Sequence, residues 1–149
     1  MKKTVKQILA LLVLVAVVLC AAACGAGGDE AGKITVVLGL DTPVEYELDL
    51  SDVEITNGLF SVLDYLAENE SLTYVANGTM IDSVGDLKPD ASKFEYIYIY
   101  TSNSADFDVS DWAQEMEYKG KKLVSSGVGA ADMTFTDGTV IYIGTIIYG

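Results

Sequence analysis

The stretch that decides the fold is residues 94–101, which have the sequence FEYIYIYT. Aromatic side chains occupy every second position from Phe94 to Tyr100, and aliphatic side chains lie between them from Tyr96 onward. Because successive side chains of a β-strand point to opposite faces of the sheet, this alternation predicts a strand, the strongest in the chain. One face of the strand is aromatic and carries Phe94, Tyr96, Tyr98 and Tyr100, and the other carries Ile97 and Ile99.

Two more strands are predicted before this stretch. Residues 33–40 are rich in β-branched side chains, which favour strands. Residues 44–50 alternate strictly between apolar and acidic side chains, which is typical of a strand with one exposed face. The segment Asp41-Thr42-Pro43 between the two suits a tight turn, so the pair is predicted to form a hairpin.

The apolar period changes after this hairpin. Apolar side chains now recur at i, i+3, i+4 and i+7, which predicts one amphipathic helix with an apolar stripe facing the sheet. The side chain of Thr56 or Asn57 is expected to cap its first turn, and the helix is expected to end near Glu70. The stripe consists of Leu59, Val62, Leu63 and Leu66.

The rest of the chain reads as strands and turns. A short strand is predicted at 72–76 before an Asn-Gly turn, a hairpin at 115–118 and 121–125, and a last strand at 139–148. The segment 102–110 is an acidic loop. One helix among several strands predicts an α+β domain in which the helix covers one face of a mixed sheet.

The first 24 residues have the three-part layout of an export signal. Three lysines precede an apolar run at 8–19, and three alanines then lead to Cys24. This layout resembles a bacterial lipoprotein signal, which would make 1–23 the signal peptide and Cys24 the lipid-attachment site. The alternatives are secretion without a lipid and a membrane-spanning helix, although the run is shorter than the ~20 apolar residues that a span needs.

We therefore expect a lipid-anchored protein on the extracytoplasmic side of a bacterial cell membrane. Residues 24–32 are glycine-rich and are expected to form a flexible tether, and 33–149 are expected to form the folded domain. Stable anchoring needs two acyl chains, which a diacylglyceryl group supplies. The membrane is thus the first expected partner.

Composition excludes several classes of function. Removing residues 1–23 takes away three of the nine lysines and none of the 22 acidic residues, so six lysines and a net charge of −16 remain. A surface this acidic, without arginine, repels phosphate backbones, so no nucleic-acid partner is expected. The chain has no histidine, and after cleavage Cys24 is its one cysteine, so a disulfide, a thiol nucleophile and a histidine base are all excluded.

The order of motifs resembles a known family. Gly58–Leu66 is followed by Met80–Lys88, the aromatic strand, Glu117–Leu123, Gly127–Ala130 and Asp137-Gly138. This series is similar to the bacterial domains related to the C-terminal domain of transcobalamin, most of which have no assigned function. The resemblance implies a ubiquitin-like β-grasp fold and, as a function, capture of a small corrinoid-type ligand. Many members have tryptophan where this chain has Tyr96 or Tyr98, and no helical partner domain is recognisable in this sequence.

The acidic loop partly matches the ligand spacing of a calcium-binding loop. Asp106, Asp108, Ser110 and Glu117 fall at positions 1, 3, 5 and 12 of such a loop. Position 6 requires glycine, however, and Asp111 stands there. The loop is therefore interpreted as a solvated acidic surface loop and no metal site is assigned, with a weak calcium contact as the alternative.

The aromatic residues are the best candidates for a binding site. Tyrosine and tryptophan combine a flat apolar ring with a polar tip, which suits stacking on a ligand or a protein surface. The other interpretation is that the rings only pack the sheet or cover an open face. With no catalytic set in the sequence, we expect a non-enzymatic binding module that recognises a cell-surface protein, or alternatively a small ligand. The candidate ligand-binding residues are Tyr98, Tyr100, Trp112 and Tyr118.

Overall fold

The computed structural model describes residues 32–149. The predicted signal peptide at 1–23, the lipid-attachment residue Cys24 and the tether up to residue 31 lie outside the described residues. The first strand begins at Lys33.

The described residues contain eight strands and one α-helix, joined by turns and four short 3-10 helices. The predicted hairpin at 115–118 and 121–125 has these bounds in the structure, and the predicted bounds of the aromatic strand and the helix are within one residue of those found. The strands are β1 (Lys33–Leu38), β2 (Val44–Asp49), β3 (Tyr74–Asn77), β4 (Met80–Val84), β5 (Glu95–Thr101), β6 (Glu115–Tyr118), β7 (Lys121–Ser125) and β8 (Val140–Ile147), and the helix is α1 (Leu59–Asn69).

Six of the strands form one mixed sheet in the order β2-β1-β8-β5-β7-β6. The neighbours β1 and β8 run parallel, and every other neighbouring pair in this sheet is antiparallel. The last strand of the chain therefore lies inside the sheet, between the first strand and the aromatic strand. The strands β3 and β4 form a separate antiparallel hairpin. The α+β class with a mixed sheet is confirmed.

The helix α1 packs on one face of the six-stranded sheet. All four residues of its predicted stripe are fully buried, and they share one apolar core with Ile97 and Ile99 of β5 and with Ile141 and Ile143 of β8. Burying an aliphatic side chain of this size contributes about 1.5–3 kcal/mol, so the stripe holds the helix on the sheet. Within residues 32–149, no helix is long and apolar enough to span a bilayer.

The start of α1 differs from the prediction. Neither Thr56 nor Asn57 caps the helix with its side chain, because Gly58 occupies the N-cap position with a positive φ of 52°. The hydroxyl of Ser61 instead points back and accepts hydrogen bonds from the backbone N–H groups of Thr56 and Asn57, at 3.1 and 2.9 Å. The chain thus enters the helix through a sharp glycine bend that a serine in the first turn stabilises.

The strand predicted at 72–76 starts two residues later than expected. Leu72 is 5% exposed and belongs to the core beneath α1, because the chain turns inward directly after the helix. The strand β3 begins only at Tyr74, whose hydroxyl donates a 2.5 Å hydrogen bond to the Asp64 carboxylate on α1. This bond fixes the small hairpin to the helix.

Candidate functional site: the tyrosine face

The face of the six-stranded sheet opposite α1 is lined with tyrosines. The isoleucines of β5 point into the core beneath the helix, so the alternate side chains of β5 point away from it. Cross-strand partners lie on the same face, and the register pairs Tyr100 with Tyr142 and Tyr98 with Gly144. We call this surface the tyrosine face; it consists of Tyr96, Tyr98, Tyr100, Tyr118, Tyr142 and Tyr148.

The rings of the tyrosine face contact one another in series. The centroid of the Tyr100 ring lies 5.2 Å from that of Tyr98 and 6.3 Å from that of Tyr142, and the Tyr142 ring lies 5.5 Å from that of Tyr118. The rings of Tyr96 and Tyr148 form a further pair at 6.1 Å. These pairs meet edge-on or tilted, which aromatic quadrupoles favour by about 0.5–1.5 kcal/mol a pair. The face is therefore an ordered array.

A glycine makes room for the central ring of this array. A Cβ atom at Gly39, directly after β1, would overlap the ring and hydroxyl of Tyr142. Because glycine lacks that atom, the Tyr142 side chain lies against the backbone at the end of β1. The array, whose rings come from β5, β6 and β8, therefore also contacts the end of β1.

Both edges of the sheet meet above one part of the tyrosine face. The strands β2 and β6 are the two outermost strands, yet the hydroxyl of Tyr118 on β6 donates a 2.5 Å hydrogen bond to the Glu45 carboxylate on β2. The ammonium of Lys119 lies 2.5 Å from the same carboxylate, and the ammonium of Lys121 donates to the Gly138 carbonyl. Strand twist and coiling allow this closure, in which the tip of the β6–β7 hairpin reaches across to β2.

The closure creates a second buried layer. Val37 and Leu123 are both fully buried although they lie outside the core beneath α1. The register places both on the tyrosine face. Val37 pairs with Tyr142, and Leu123 lies two residues before Ser125, which is the β7 partner of Tyr100. The tyrosine face is thus closed at the β6–β7 hairpin, around Tyr118 and Tyr142, and open toward Tyr98 and Tyr148.

Charges at the closure reinforce it. The Lys119 ammonium, and secondly the Tyr118 hydroxyl, lower the pKa of Glu45, so this carboxylate stays ionised at neutral pH. The hydrogen bond to the Glu45 carboxylate raises the pKa of Tyr118 to about 12. Burial among the neighbouring tyrosines raises the pKa of Tyr100. Near pH 7 the Glu45 carboxylate is therefore ionised and accepts, while the Tyr118 hydroxyl keeps the proton that it donates.

The open half of the tyrosine face presents aromatic surface to solvent. Tyr148 is 55% exposed, and Tyr96 and Tyr98 are half-buried. The position opposite Tyr98 is Gly144, and the ring of Tyr142 lies close to the space that this glycine leaves. Exposed rings with hydroxyl tips can stack on a planar or apolar partner and hydrogen-bond its edge.

Three of the four candidate residues predicted from the sequence share this face. Tyr98, Tyr100 and Tyr118 lie in the same series of ring contacts. Trp112 lies apart, on the loop between β5 and β6, where it is 83% exposed and contacts none of the described aromatic rings at pair distance. Trp112 was predicted as a ligand-binding residue because of its aromatic side chain, but the loop that carries it places it outside the tyrosine array.

Sequence reasoning missed Tyr142, Tyr148 and Glu45. A signal for the two tyrosines was present, because they alternate with apolar residues along the last predicted strand as the β5 tyrosines do along theirs. Glu45 had no such signal. Its partner Tyr118 is 73 residues away in sequence, and their contact depends on how far the whole sheet curls.

The interpretation of the acidic loop as fully solvated is wrong at one position. Asp106 is 3% exposed, and its carboxylate accepts hydrogen bonds from the backbone N–H and the hydroxyl of Thr134, at 2.8 and 3.0 Å. It fixes the loop to the segment before β8. Asp108 accepts a bond from the Ser110 N–H, which lowers the pKa of Asp108. Among residues 32–149 there is no cluster of three or more acidic, histidine or cysteine side chains placed to hold a metal ion.

Comparisons with known proteins find only distant structural likeness. No protein-family model matches the chain, and no curated protein matches it. A solved structure of a candidate metal-binding protein from Ruminococcus gnavus is similar at 16% sequence identity, covering 78% of this chain and 96% of that one with a TM-score of 0.47. This degree of likeness assigns no function to the present chain.

Proposed function

We propose that this protein is a lipid-anchored, extracytoplasmic binding module that holds a cell-surface protein partner on the open half of its tyrosine face and carries out no chemistry. The observation that carries the proposal is the array itself: six tyrosines lie on the sheet face that the helix leaves uncovered, and of these Tyr148 is 55% exposed and the other five are half-buried. Tyrosine and tryptophan anchors dominate the affinity of many protein interfaces. The absence of histidine from the sequence argues against the commonest acid–base catalysis.

We also propose that the domain has the β-grasp fold implied by the family resemblance. Support comes from the order of elements: a β1–β2 hairpin, one helix packed across the sheet, and a last strand that returns to pair in parallel with β1. In this arrangement one sheet face is occupied by the helix. The opposite face is then the broad surface left for a partner.

The charge distribution favours a neutral or apolar contact on this face. The mature chain has a net charge of −16, whereas the exposed tyrosines and their neighbour Ile146 are uncharged. A partner on the open half would therefore bury aromatic area without desolvating carboxylates, which is costly. The acidic remainder of the surface would keep similarly acidic molecules away.

The direct test is site-specific photocrosslinking in intact cells. A photoreactive phenylalanine analogue at Tyr98, on the open half, is expected to give a discrete crosslinked product with a protein of the cell envelope. The same analogue at Val75 is the matched control, since Val75 is a 57% exposed apolar residue on the β3–β4 hairpin. A product of equal yield from both positions, or no product from Tyr98, contradicts the proposal.

The corrinoid alternative is separated from the protein partner by equilibrium dialysis. If the tyrosine face holds a protein, cobalamin at micromolar concentration is expected to reach the same concentration on both sides of the dialysis membrane. Retention of cobalamin by the protein, lost in Tyr98→Ala and kept in Val75→Ala, would favour small-ligand capture instead. Tyr98 is suited to this comparison because it lies on the open half of the tyrosine face, opposite a glycine of β8.

A further inference from the structure

The two ends of the six-stranded sheet differ in what they carry. The strand β1 begins at Lys33, whose carbonyl accepts a hydrogen bond from the Gly138 N–H, two residues before β8. Because β1 and β8 run parallel, both strands leave this end together, and β8 continues four residues past the partner of Leu38. Its last residues therefore lie at the other end of the sheet, roughly 30 Å away along the strands. We call the end with Lys33 the entry end and the other the distal end.

The distal end carries a cluster of exposed apolar side chains. Ile147 is 67% exposed and Phe94 is 61% exposed, slightly more than Tyr148 beside them. Strand pairing brings them together, since Glu95 pairs with Ile147 and the Phe94 carbonyl accepts a 3.0 Å hydrogen bond from the Tyr148 N–H. The Tyr96–Tyr148 ring pair connects this cluster to the open half of the tyrosine face. We call Phe94, Tyr96, Ile147 and Tyr148 the distal patch.

The aromatic side chain at position 94 is not required by the local backbone. Phe94 ends the 3-10 helix at Ala91–Lys93 in a left-handed conformation with φ of 57°. Helix ends of this kind favour glycine or asparagine, and a bulky side chain is uncommon in them. Burial does not offset the cost either, because most of the side chain is in contact with water. Contact with another molecule would explain a phenylalanine there.

Backbone hydrogen bonds hold this aromatic residue in place. The Phe94 N–H donates to the Ala91 carbonyl at 3.1 Å, and the Phe94 carbonyl accepts from Tyr148, so both of its backbone groups are bonded. The Asp90 carboxylate caps the preceding 3-10 helix by accepting a 3.0 Å hydrogen bond from the Ser92 N–H. A side chain on a backbone that is fixed in advance loses less conformational entropy when it binds.

The charged groups beside the distal patch are already paired. The Lys93 ammonium lies 3.2 Å from the Asp90 carboxylate, and the Glu95 carboxylate accepts a 3.1 Å hydrogen bond from the Asp90 N–H. The patch itself contains no charged residue, so it is complementary to an uncharged, apolar protein surface. A second copy of this chain is disfavoured as the partner, because each mature chain has a net charge of −16 and like charges repel.

The connection to the proposed lipid anchor orients the two ends. The chain from Cys24 to Lys33 spans at most about 30 Å even when fully extended, and it joins the sheet at the entry end. With a lipid on Cys24, the entry end is therefore the end nearest the bilayer. The distal patch then faces away from the membrane.

From this arrangement we propose that the distal patch is the contact area for a protein that lies outside the bilayer and presents an uncharged apolar surface. This inference rests on the proposed function, because it names the part of the tyrosine face where the partner is centred and the side from which it approaches. A membrane-embedded neighbour would instead meet the entry end.

Photocrosslinking of the full chain in intact cells tests the patch directly. A photoreactive phenylalanine analogue at Phe94 replaces one aromatic ring by another and is expected to give one discrete crosslinked product. Val109 is the control position, because it is 94% exposed on the loop between β5 and β6 and lies outside the patch. The captured protein, identified by mass spectrometry, is expected to be released from untreated cell membranes by an alkaline carbonate wash.

The substitution Phe94→Asn separates the ring from the fold. Asparagine tolerates the left-handed conformation, so the melting temperature is expected to stay within a few degrees of wild type. With the photoreactive analogue at Tyr98, Phe94→Asn is expected to lower the crosslinking yield at least tenfold. The control Val75→Thr alters an exposed apolar residue on the β3–β4 hairpin and is expected to leave the yield unchanged.

The outcomes distinguish this inference from the proposed function. A Tyr98 product whose yield is unaffected by Phe94→Asn overturns the distal patch and leaves the binding function of the tyrosine face standing. No product from Phe94, equal yield from Val109, a product made of two copies of this chain, or a partner that resists the carbonate wash also overturns the inference. A product from Phe94 without one from Tyr98 supports the distal patch and contradicts binding on the rest of the open half.

Discussion

At the scale of single residues, Glu45 determines whether the sheet closes over its tyrosine face. Its carboxylate accepts the Tyr118 hydrogen bond and pairs with the Lys119 ammonium, so both contacts from the β6–β7 hairpin to β2 depend on one side chain. The same residue reads in the sequence as one of several exposed acids in an alternating strand. Its importance comes from its distant partners.

The substitution Glu45→Gln is expected to lower the melting temperature at pH 7, because it removes the ion pair and weakens the Tyr118 hydrogen bond. Since the pKa of Glu45 is lower in the folded state than the ordinary 4.5, its stabilising effect is complete above that value and is lost as the pH falls through the folded-state pKa. The difference between wild type and variant should therefore disappear in acid. Calorimetric melting curves between pH 7 and pH 3 measure it.

Glu47→Gln is the control for this experiment. Glu47 lies on the same strand and pairs with Lys33, but it makes no hydrogen bond to the β6–β7 hairpin. Tyr118 supplies an independent readout, because loss of the Glu45 carboxylate should lower its ionisation midpoint from about 12 toward 10. An unchanged Tyr118 titration in Glu45→Gln would show that the closure does not depend on this carboxylate.

At the scale of secondary structure, the entry into α1 is a tightly constrained joint. Gly58 has φ of 52°, and a Cβ atom there would overlap the backbone carbonyl of Ala130. The helix and the 3-10 helix at Ala130–Asp132 therefore pack backbone against backbone. Glycine is required at this joint both for its conformation and for its lack of a side chain.

The substitution Gly58→Ala is expected to destabilise the fold by about 3 kcal/mol or more, because backbone strain and overlap add together. Gly78 provides a matched comparison: its φ of 63° is also left-handed, but nothing lies within 4 Å of the Cβ position. Gly78→Ala should thus cost about 1 kcal/mol, the strain alone. Urea unfolding of both variants measures the two costs, and equal costs would mean that packing against Ala130 is unimportant.

At the scale of the whole molecule, the two faces of the six-stranded sheet differ in what covers them. One face holds the helix and the main core, and the other carries the tyrosine array, partly closed by the sheet's own edge. The proposed lipid anchor and tether would leave that second face free to meet a partner beside the membrane.

The substitution Cys24→Ala tests the anchor. If Cys24 carries the lipid, its replacement is expected to move most of the protein from the membrane fraction to the culture medium, because no other acyl chain remains to hold it. Immunoblotting of the two fractions measures the shift. Serine substitution at Val75, on the domain surface, is the control and should leave the protein in the membrane fraction. Full membrane retention of Cys24→Ala would contradict lipid attachment there.

The sequence by itself determined the elements and their faces, because these depend on local periodicity. The alternation at 94–101 separates the tyrosines from the isoleucines, and the stripe from Leu59 to Leu66 defines the buried side of the helix. The α+β class follows from these patterns. The N-cap prediction failed because Thr56 and Asn57 are capping residues by type, whereas the close packing of Gly58 on Ala130 decided the geometry.

Only the tertiary structure decided which residues meet. The contact of Tyr118 with Glu45 depends on the curl of a six-stranded sheet, and the burial of Asp106 depends on Thr134, 28 residues further along the chain. Periodicity records which way a side chain points, but these contacts join residues far apart in sequence, and their positions are set by the packing of the complete chain.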